Sequence, residues 1–280
     1  MQPSSSMTGP SNDGNVTAAI LGNAKGVDML NKVPGITLAF WIIKLMSTTV
    51  GETGADYLAV HVGLGTVVTG GIMAALLVCA LLLQLRSRRY IPWVYWLTVV
   101  LVSVVGTQIT DALTDGLGIS LYASTSAFGL ALAAIFAAWY WRERTLSIHT
   151  IVTRRRELFY WAAILFTFAL GTAAGDLATE ALGLGFRLGV ISFGALIAII
   201  AIAYRLGANS VLTFWLAYIL TRPLGASLGD LLSQAPTYGG LGMGMIGTSI
   251  AFLTVIVGLV AFVTFVPNGP TTSASARTEA

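Results

Sequence analysis

The chain has 280 residues, of which 56% are hydrophobic and only 10% charged, with a formal net charge of +3. An ordinary soluble domain carries about 25% charged residues, so a water-soluble fold is not expected. A single cysteine, Cys79, excludes a disulfide framework and a cysteine metal site, and its place in an apolar tract predicts a buried structural thiol.

Residues 1–32 are mostly small and polar, without the charged start, apolar stretch and cleavage site of a secretory signal, and predict a disordered cytoplasmic tail. Eight apolar tracts follow, at residues 36–62, 66–85, 91–115, 119–141, 158–182, 186–206, 211–234 and 241–266. Each has the ~20 residues that a helix needs to cross ~30 Å of hydrocarbon. The first tract carries Lys44, Glu52, Asp56 and His61; the third, Asp111 and Asp115; the fifth, Asp176 and Glu180; the seventh, Arg222, Pro223 and Asp230. Residues 267–280 predict a second disordered cytoplasmic tail. The expected fold is therefore all-α, a polytopic membrane domain over residues 33–266 with eight transmembrane helices.

Loops rich in Lys and Arg stay on the cytoplasmic side of a membrane. Arg86, Arg88 and Arg89 follow the second tract; Arg142, Arg144, Arg154, Arg155 and Arg156 the fourth; Arg205 the sixth; and Lys25, Lys32 and Arg277 lie in the tails. The opposite side has only Arg187. Both termini are expected in the cytoplasm. All seven tryptophans fall near the cytoplasmic ends of the tracts, where an interfacial aromatic belt would stand. The basic charge belongs to topology, so no nucleic-acid partner is expected.

The tracts repeat. Phe40-Trp41, Tyr95-Trp96, Tyr160-Trp161 and Phe214-Trp215 are each followed, ten residues after the Trp, by Gly51, Gly106, Gly171 and Gly225. Five residues further stand Asp56, Asp111, Asp176 and Asp230, and each unit then reaches a Gly-Leu-Gly turn at 63–65, 116–118, 183–185 or 240–242. The units are about 33–90, 91–153, 154–207 and 208–266. Each reads as a hairpin of two helices, all four in the same orientation. The recurrent glycines suit close helix approach.

Seven of the twelve acidic residues, Glu52, Asp56, Asp111, Asp115, Asp176, Glu180 and Asp230, lie in or beside this motif. At ~2.5–3.5 kcal/mol per charge at a helix centre, seven facing lipid would cost roughly 17–25 kcal/mol. They are expected to face an interior, to pair, to protonate or to sit in water. Glu52 with Asp56, Asp111 with Asp115, and Asp176 with Glu180 are each four residues apart and share a helix face. Arg222 lies ~10 Å deeper than Trp215, where a carboxylate partner is the natural neutraliser. Pro223 beside it predicts a kinked or broken helix. For Lys44, three residues past Trp41, a snorkelling side chain and a functional partner both remain open. His149 reads as solvated; His61 is a candidate for a cation rim.

The strings Gly51-Glu52-Thr53-Gly54-Ala55-Asp56 and Thr221-Arg222-Pro223-Leu224-Gly225-Ala226-Ser227-Leu228-Gly229-Asp230 resemble those of a bacterial family of uncharacterised membrane-anchored proteins, made of four copies of a repeat of unknown function. The resemblance covers about residues 33–266 and implies a multi-spanning protein of the bacterial inner membrane. The first string also resembles the Glu-x-Gly-Asp core of calcium and manganese cation/proton exchangers, with Ala55 inserted before the aspartate and no Lys/Arg-Ser/Thr pair after it.

No metalloprotease, nucleophile-elbow or phosphate-loop motif occurs, so neither an enzyme nor a cofactor is expected. The functional expectation is a secondary transporter moving a cation, metal or small organic, coupled to protons. Its pathway residues would be Glu52, Asp56, Asp111, Asp115, Asp176, Glu180, Arg222, Asp230 and Lys44, with Glu52, Asp56, Asp111, Asp176 and Asp230 as candidate metal ligands. The expected partners are the lipid bilayer, a cation and protons. An anion or organic-acid transporter using Arg222 and Lys44, and a non-transporting scaffold or regulatory protein, are the alternatives.

Overall fold

The computed structural model describes residues 31–61 and 66–265, with the side chains of residues 56, 58–61 and 66 outside the description. The first Gly-Leu-Gly turn, His61's side chain and nearly all of both tails thus lie outside the described residues. Eight long helices account for most of the rest: α1 Leu38–His61, α2 Thr66–Arg86, α3 Pro92–Asp111, α4 Leu121–Glu143, α5 Arg154–Asp176, α6 Gly185–Arg205, α7 Ser210–Ser233 and α8 Met245–Phe265. No strand occurs among the described residues.

Local chemistry sets several helix starts. Pro92 opens α3, where its missing N–H costs nothing. Ser120, Thr153 and Asn209 cap α4, α5 and α7, each accepting a bond from a backbone N–H of the first turn. The Gly-Leu-Gly turns need glycine: Gly118, Gly183, Gly185 and Gly242 have φ of 68°, 69°, 69° and 76°. Of the kink or break expected at Pro223, the break does not occur: α7 runs continuously through it.

Among the described residues, seven helices are long and apolar enough to cross a membrane. α1 is not among them, since it carries Lys44, Glu52 and Asp56. The helices fall into two classes. Over their most apolar stretch, α3, α5 and α7 are 56–61% buried, whereas α2, α4, α6 and α8 are only 6–22% buried. The second class presents residues such as Leu82, Leu188, Ile199, Ile250 and Val257 outward. A continuous apolar surface of this kind suits hydrocarbon and not water. Cys79, expected to be buried, is exposed on α2.

Packing follows a rule that the hairpin picture missed. α1, α3, α5 and α7 form a closed inner ring, each touching the next and α7 touching α1. The outer helices do not pack mainly on their own partners: α2 lies on α3, α4 on α5, α6 on α7, and α8 returns to α1. Every repeat is therefore covered by its predecessor, because the inner helices occupy one another's flanks and leave only the next groove free.

The ring repeats at atomic detail. A Cβ built on Gly51 would fall on Ser103, on Gly106 at 2.8 Å from the Phe168 Cβ, on Gly171 at 2.5 Å from the Arg222 Cβ, and on Gly225 onto Thr48. Each struck residue stands three positions before the glycine of the next helix, and the fourth glycine meets the first helix. The recurrent glycine is the contact point of the ring.

An aromatic collar of the same symmetry closes one end. Phe40 meets Trp96 at 5.6 Å, Tyr95 meets Trp161 at 5.5 Å, Tyr160 meets Trp215 at 6.3 Å and Phe214 meets Trp41 at 5.7 Å between ring centroids. Tyr95 and Tyr160 hydroxyls share a bond of 2.5 Å. Trp96, Trp139, Trp161 and Trp215 are thus core residues; of the belt expected at the interface, Trp93 and Trp141 are the most exposed.

Candidate functional site

The inner ring places one position of each repeat, the residue after the glycine, in a common layer: Glu52, Thr107, Thr172 and Ala226. Arg222 reaches into it from α7, one turn below. Its Nη2 donates to Glu52 Oε2 at 2.5 Å, to Thr172 Oγ1 at 2.8 Å and to Thr107 Oγ1, while Nη1 donates to the Thr48 carbonyl at 3.2 Å. Three helices thereby hold one arginine of the fourth. Arg222 is 1% exposed and Glu52 6%. Glu52 is the carboxylate partner expected for Arg222. Guanidinium keeps its proton at any ordinary pH, so a charge sits on the axis of the bundle and must be neutralised there.

Lys44 lies one further turn toward the collar and is buried. It does not snorkel. Its Nζ sits 4.0 Å from the centre of the Phe168 ring and 4.4 Å from that of Tyr218, and among the described residues it has no hydrogen-bond partner. Phe168 also faces the Arg222 guanidinium at 5.8 Å. The Phe168 ring therefore stands within reach of both basic side chains.

On the other side of the layer, one helical turn or ~6 Å beyond Glu52, come the aspartates. Asp111, Asp176 and Asp230 are half-buried, and Asp115 and Glu180 are exposed. Asp176 interacts electrostatically with Glu52, Glu180, Asp111 and Arg222, and Glu180 with Asp115 and Glu52. The acids form a graded cluster, from exposed Asp115 and Glu180 through half-buried Asp111, Asp176 and Asp230 to buried Glu52. The side chain of Asp56 lies outside the described residues. α3 and α5 widen into π-helical turns immediately after Asp111 and Asp176, at Ala112–Gly116 and Leu177–Ala181. Such turns recur at functional sites. Among the described residues, no three His, Cys, Asp or Glu side chains assemble a metal site, so the candidate ligands Glu52, Asp111, Asp176 and Asp230 do not form one in this conformation.

Some participants were missed in the sequence. Thr107 and Thr172 share the repeat position of Glu52, which was the available signal. Phe168 stands where the other repeats have Thr48, Ser103 and Arg222. A second buried pair also escaped notice: Lys32 Nζ donates to Glu157 Oε2 at 2.7 Å and to the Leu85 carbonyl at 3.3 Å, with Gln84 donating to Glu157 Oε1 at 3.5 Å. Lys32 was expected in a disordered tail; it is instead buried and ties that segment to α2 and α5. Glu157 has no counterpart in the repeat pattern to announce it.

The ring of four equivalent contacts is a property that a family comparison can test. The family described as Repeat of Unknown Function (DUF347) matches four times, at residues 39–90, 94–145, 159–207 and 213–267. The chain belongs to the DUF347 family. Each match takes in one inner helix and the outer helix that follows it, so the DUF347 unit is the sequence repeat and not the packed pair. No curated protein and no solved structure matches the chain.

Proposed function

We propose that this DUF347 protein is an eight-span transporter of the bacterial inner membrane, with four repeats of one orientation and both termini cytoplasmic. It would move a cation coupled to protons along the axis of the inner ring. The carrying observation is the buried Glu52–Arg222 pair inside the ring, held by Thr107 and Thr172 beside the cluster of acidic side chains. A carboxylate in low dielectric accepts a proton or a cation in exchange for its counter-ion. Arg222 is that counter-ion, keeping Glu52 neutralised while no substrate is present. Asp111, Asp176 and Asp230, with Asp115 and Glu180 at the rim, attract the cation. The aromatic collar is the closed gate on the cytoplasmic side.

The matched heights of the glycine contacts and of the collar support the common orientation of the repeats. Lys44 favours a second reading: two basic side chains, Lys44 and Arg222, are buried in the core beside one aromatic ring, which suits an anion or organic-acid substrate. One experiment separates the readings. Purified protein in liposomes with an internal pH-sensitive dye is challenged with monovalent, divalent and organic cations, then with organic acids. Cation-evoked proton flux, lost in Glu52→Gln and in Asp176→Asn, is expected. Flux evoked only by acids would favour the second reading, and flux that survives both substitutions would overturn the first.

A further inference from the structure

Away from the axis, a groove of about 720 Å³ runs between α4 and α7 at the basic end of the molecule. Its walls are Leu132, Ala133 and Phe136 of α4 and Val211, Trp215 and Leu216 of α7. The lining of α4 extends from Gly129 to Tyr140, or ~16 Å of helix. That is the shape of a slot for an extended chain, within the size range of small-molecule sites. The walls are fixed: Phe136 packs edge-on against Trp215 at 4.9 Å, and Trp215 Nε1 donates to the Leu146 carbonyl at 2.9 Å.

The mouth of the groove is polar, with Tyr140, Arg144 and Asn209. Arg144 is the basic side chain that lines the groove. Arg155 and Arg156 are drawn to Glu143, at 3.7 and 2.8 Å, and Arg142 lies over the Trp141 ring at 4.7 Å. No carboxylate pairs with Arg144 among the described residues. Its backbone is held at φ 55°, the only positive φ of a non-glycine residue among the described residues. A helix end of this kind ordinarily takes glycine, so the chain carries an arginine against a local backbone preference. The groove also opens where the positive-inside asymmetry places the cytoplasmic leaflet, the leaflet rich in anionic lipid.

We propose that this groove binds one anionic phospholipid, with an acyl chain between α4 and α7 and the phosphate on Arg144. Charge complementarity selects the headgroup, and the apolar slot holds the chain. The site lies apart from the axis and does not depend on what the axis carries.

The test is native mass spectrometry of the full chain released from micelles with equal amounts of phosphatidylglycerol and phosphatidylcholine of the same acyl composition. The expected result is roughly tenfold preferential retention of one phosphatidylglycerol, the scale of a single charge-assisted contact. Arg144→Gln is expected to abolish the preference. Ala133→Trp, which fills the slot from an exposed position, is expected to remove both lipids while circular dichroism still reports the full helix content. Equal retention of the two lipids by the wild type, or an unchanged preference in Arg144→Gln, overturns the proposal. So does a bound phosphatidylglycerol that persists in folded Ala133→Trp.

Discussion

The burial of Arg222 among four helices is tolerable only because Glu52, two threonines and a carbonyl surround its guanidinium. Removing one partner of a buried pair costs about 3–5 kcal/mol, because the other charge is left uncompensated. Glu52→Gln is therefore expected to lower the unfolding temperature of the purified protein sharply, and the double change Glu52→Gln with Arg222→Met to restore most of it. A double change as unstable as the single one would show that Arg222 matters for packing and not for charge. Lys44 predicts the opposite sign. Its ammonium has two ring faces and no hydrogen-bond partner among the described residues, so Lys44→Met is expected to raise the unfolding temperature while abolishing flux. A destabilised Lys44→Met would mean that the ring contacts outweigh the burial of the charge.

At the level of the helix, the glycines divide by what lies opposite them. Gly225 faces Thr48 across the closing contact of the ring, whereas a Cβ on Gly194 of α6 would meet nothing within 4 Å. Gly225→Ala is expected to separate α7 from α1 and to lower both thermal stability and flux; Gly194→Ala is expected to be neutral or stabilising by about 0.5–1 kcal/mol. Equal effects in the two variants, read by thermal unfolding, would remove the glycine from its place as contact point. This distinction was only half legible in the sequence. The spacing of Gly51, Gly106, Gly171 and Gly225 is plain, because a repeat aligns like with like. What each glycine touches lies in another repeat, three positions off register, and no periodicity within one helix reveals it. Trp96, Trp161 and Trp215 misled for a similar reason: a tryptophan near the end of an apolar helix reads as an interface anchor, and only the neighbouring inner helix turns it inward.

For the whole molecule, the number of helices and the fourfold repeat followed from composition and spacing, since long apolar tracts can satisfy their backbone in hydrocarbon only as helices. The closure of the ring did not, because both a hairpin packed on itself and a hairpin packed on its neighbour bury the same residues. The contact between α1 and α8 is where the two differ. Thr53 and Ser249 hydroxyls lie 2.7 Å apart across it, so Thr53→Cys with Ser249→Cys is expected to form a disulfide on mild oxidation. Cleavage of the chain in the exposed loop between α6 and α7 should then leave a single band on a non-reducing gel. Two fragments after efficient oxidation would open the ring.

The return of α8 to α1 also has a consequence for how the protein is made. Helices leave the ribosome in order, yet the first carries Lys44 and Glu52, the arginine that neutralises Glu52 arrives with the seventh, and the outer cover arrives with the eighth. The earliest segment is thus the last to be completed. Until then it is a poorly apolar helix whose Glu52 lacks the arginine of α7, the natural point for an insertion chaperone to hold and for a quality-control protease to cut. A chain truncated before α7 would be recognised by what its first helix lacks.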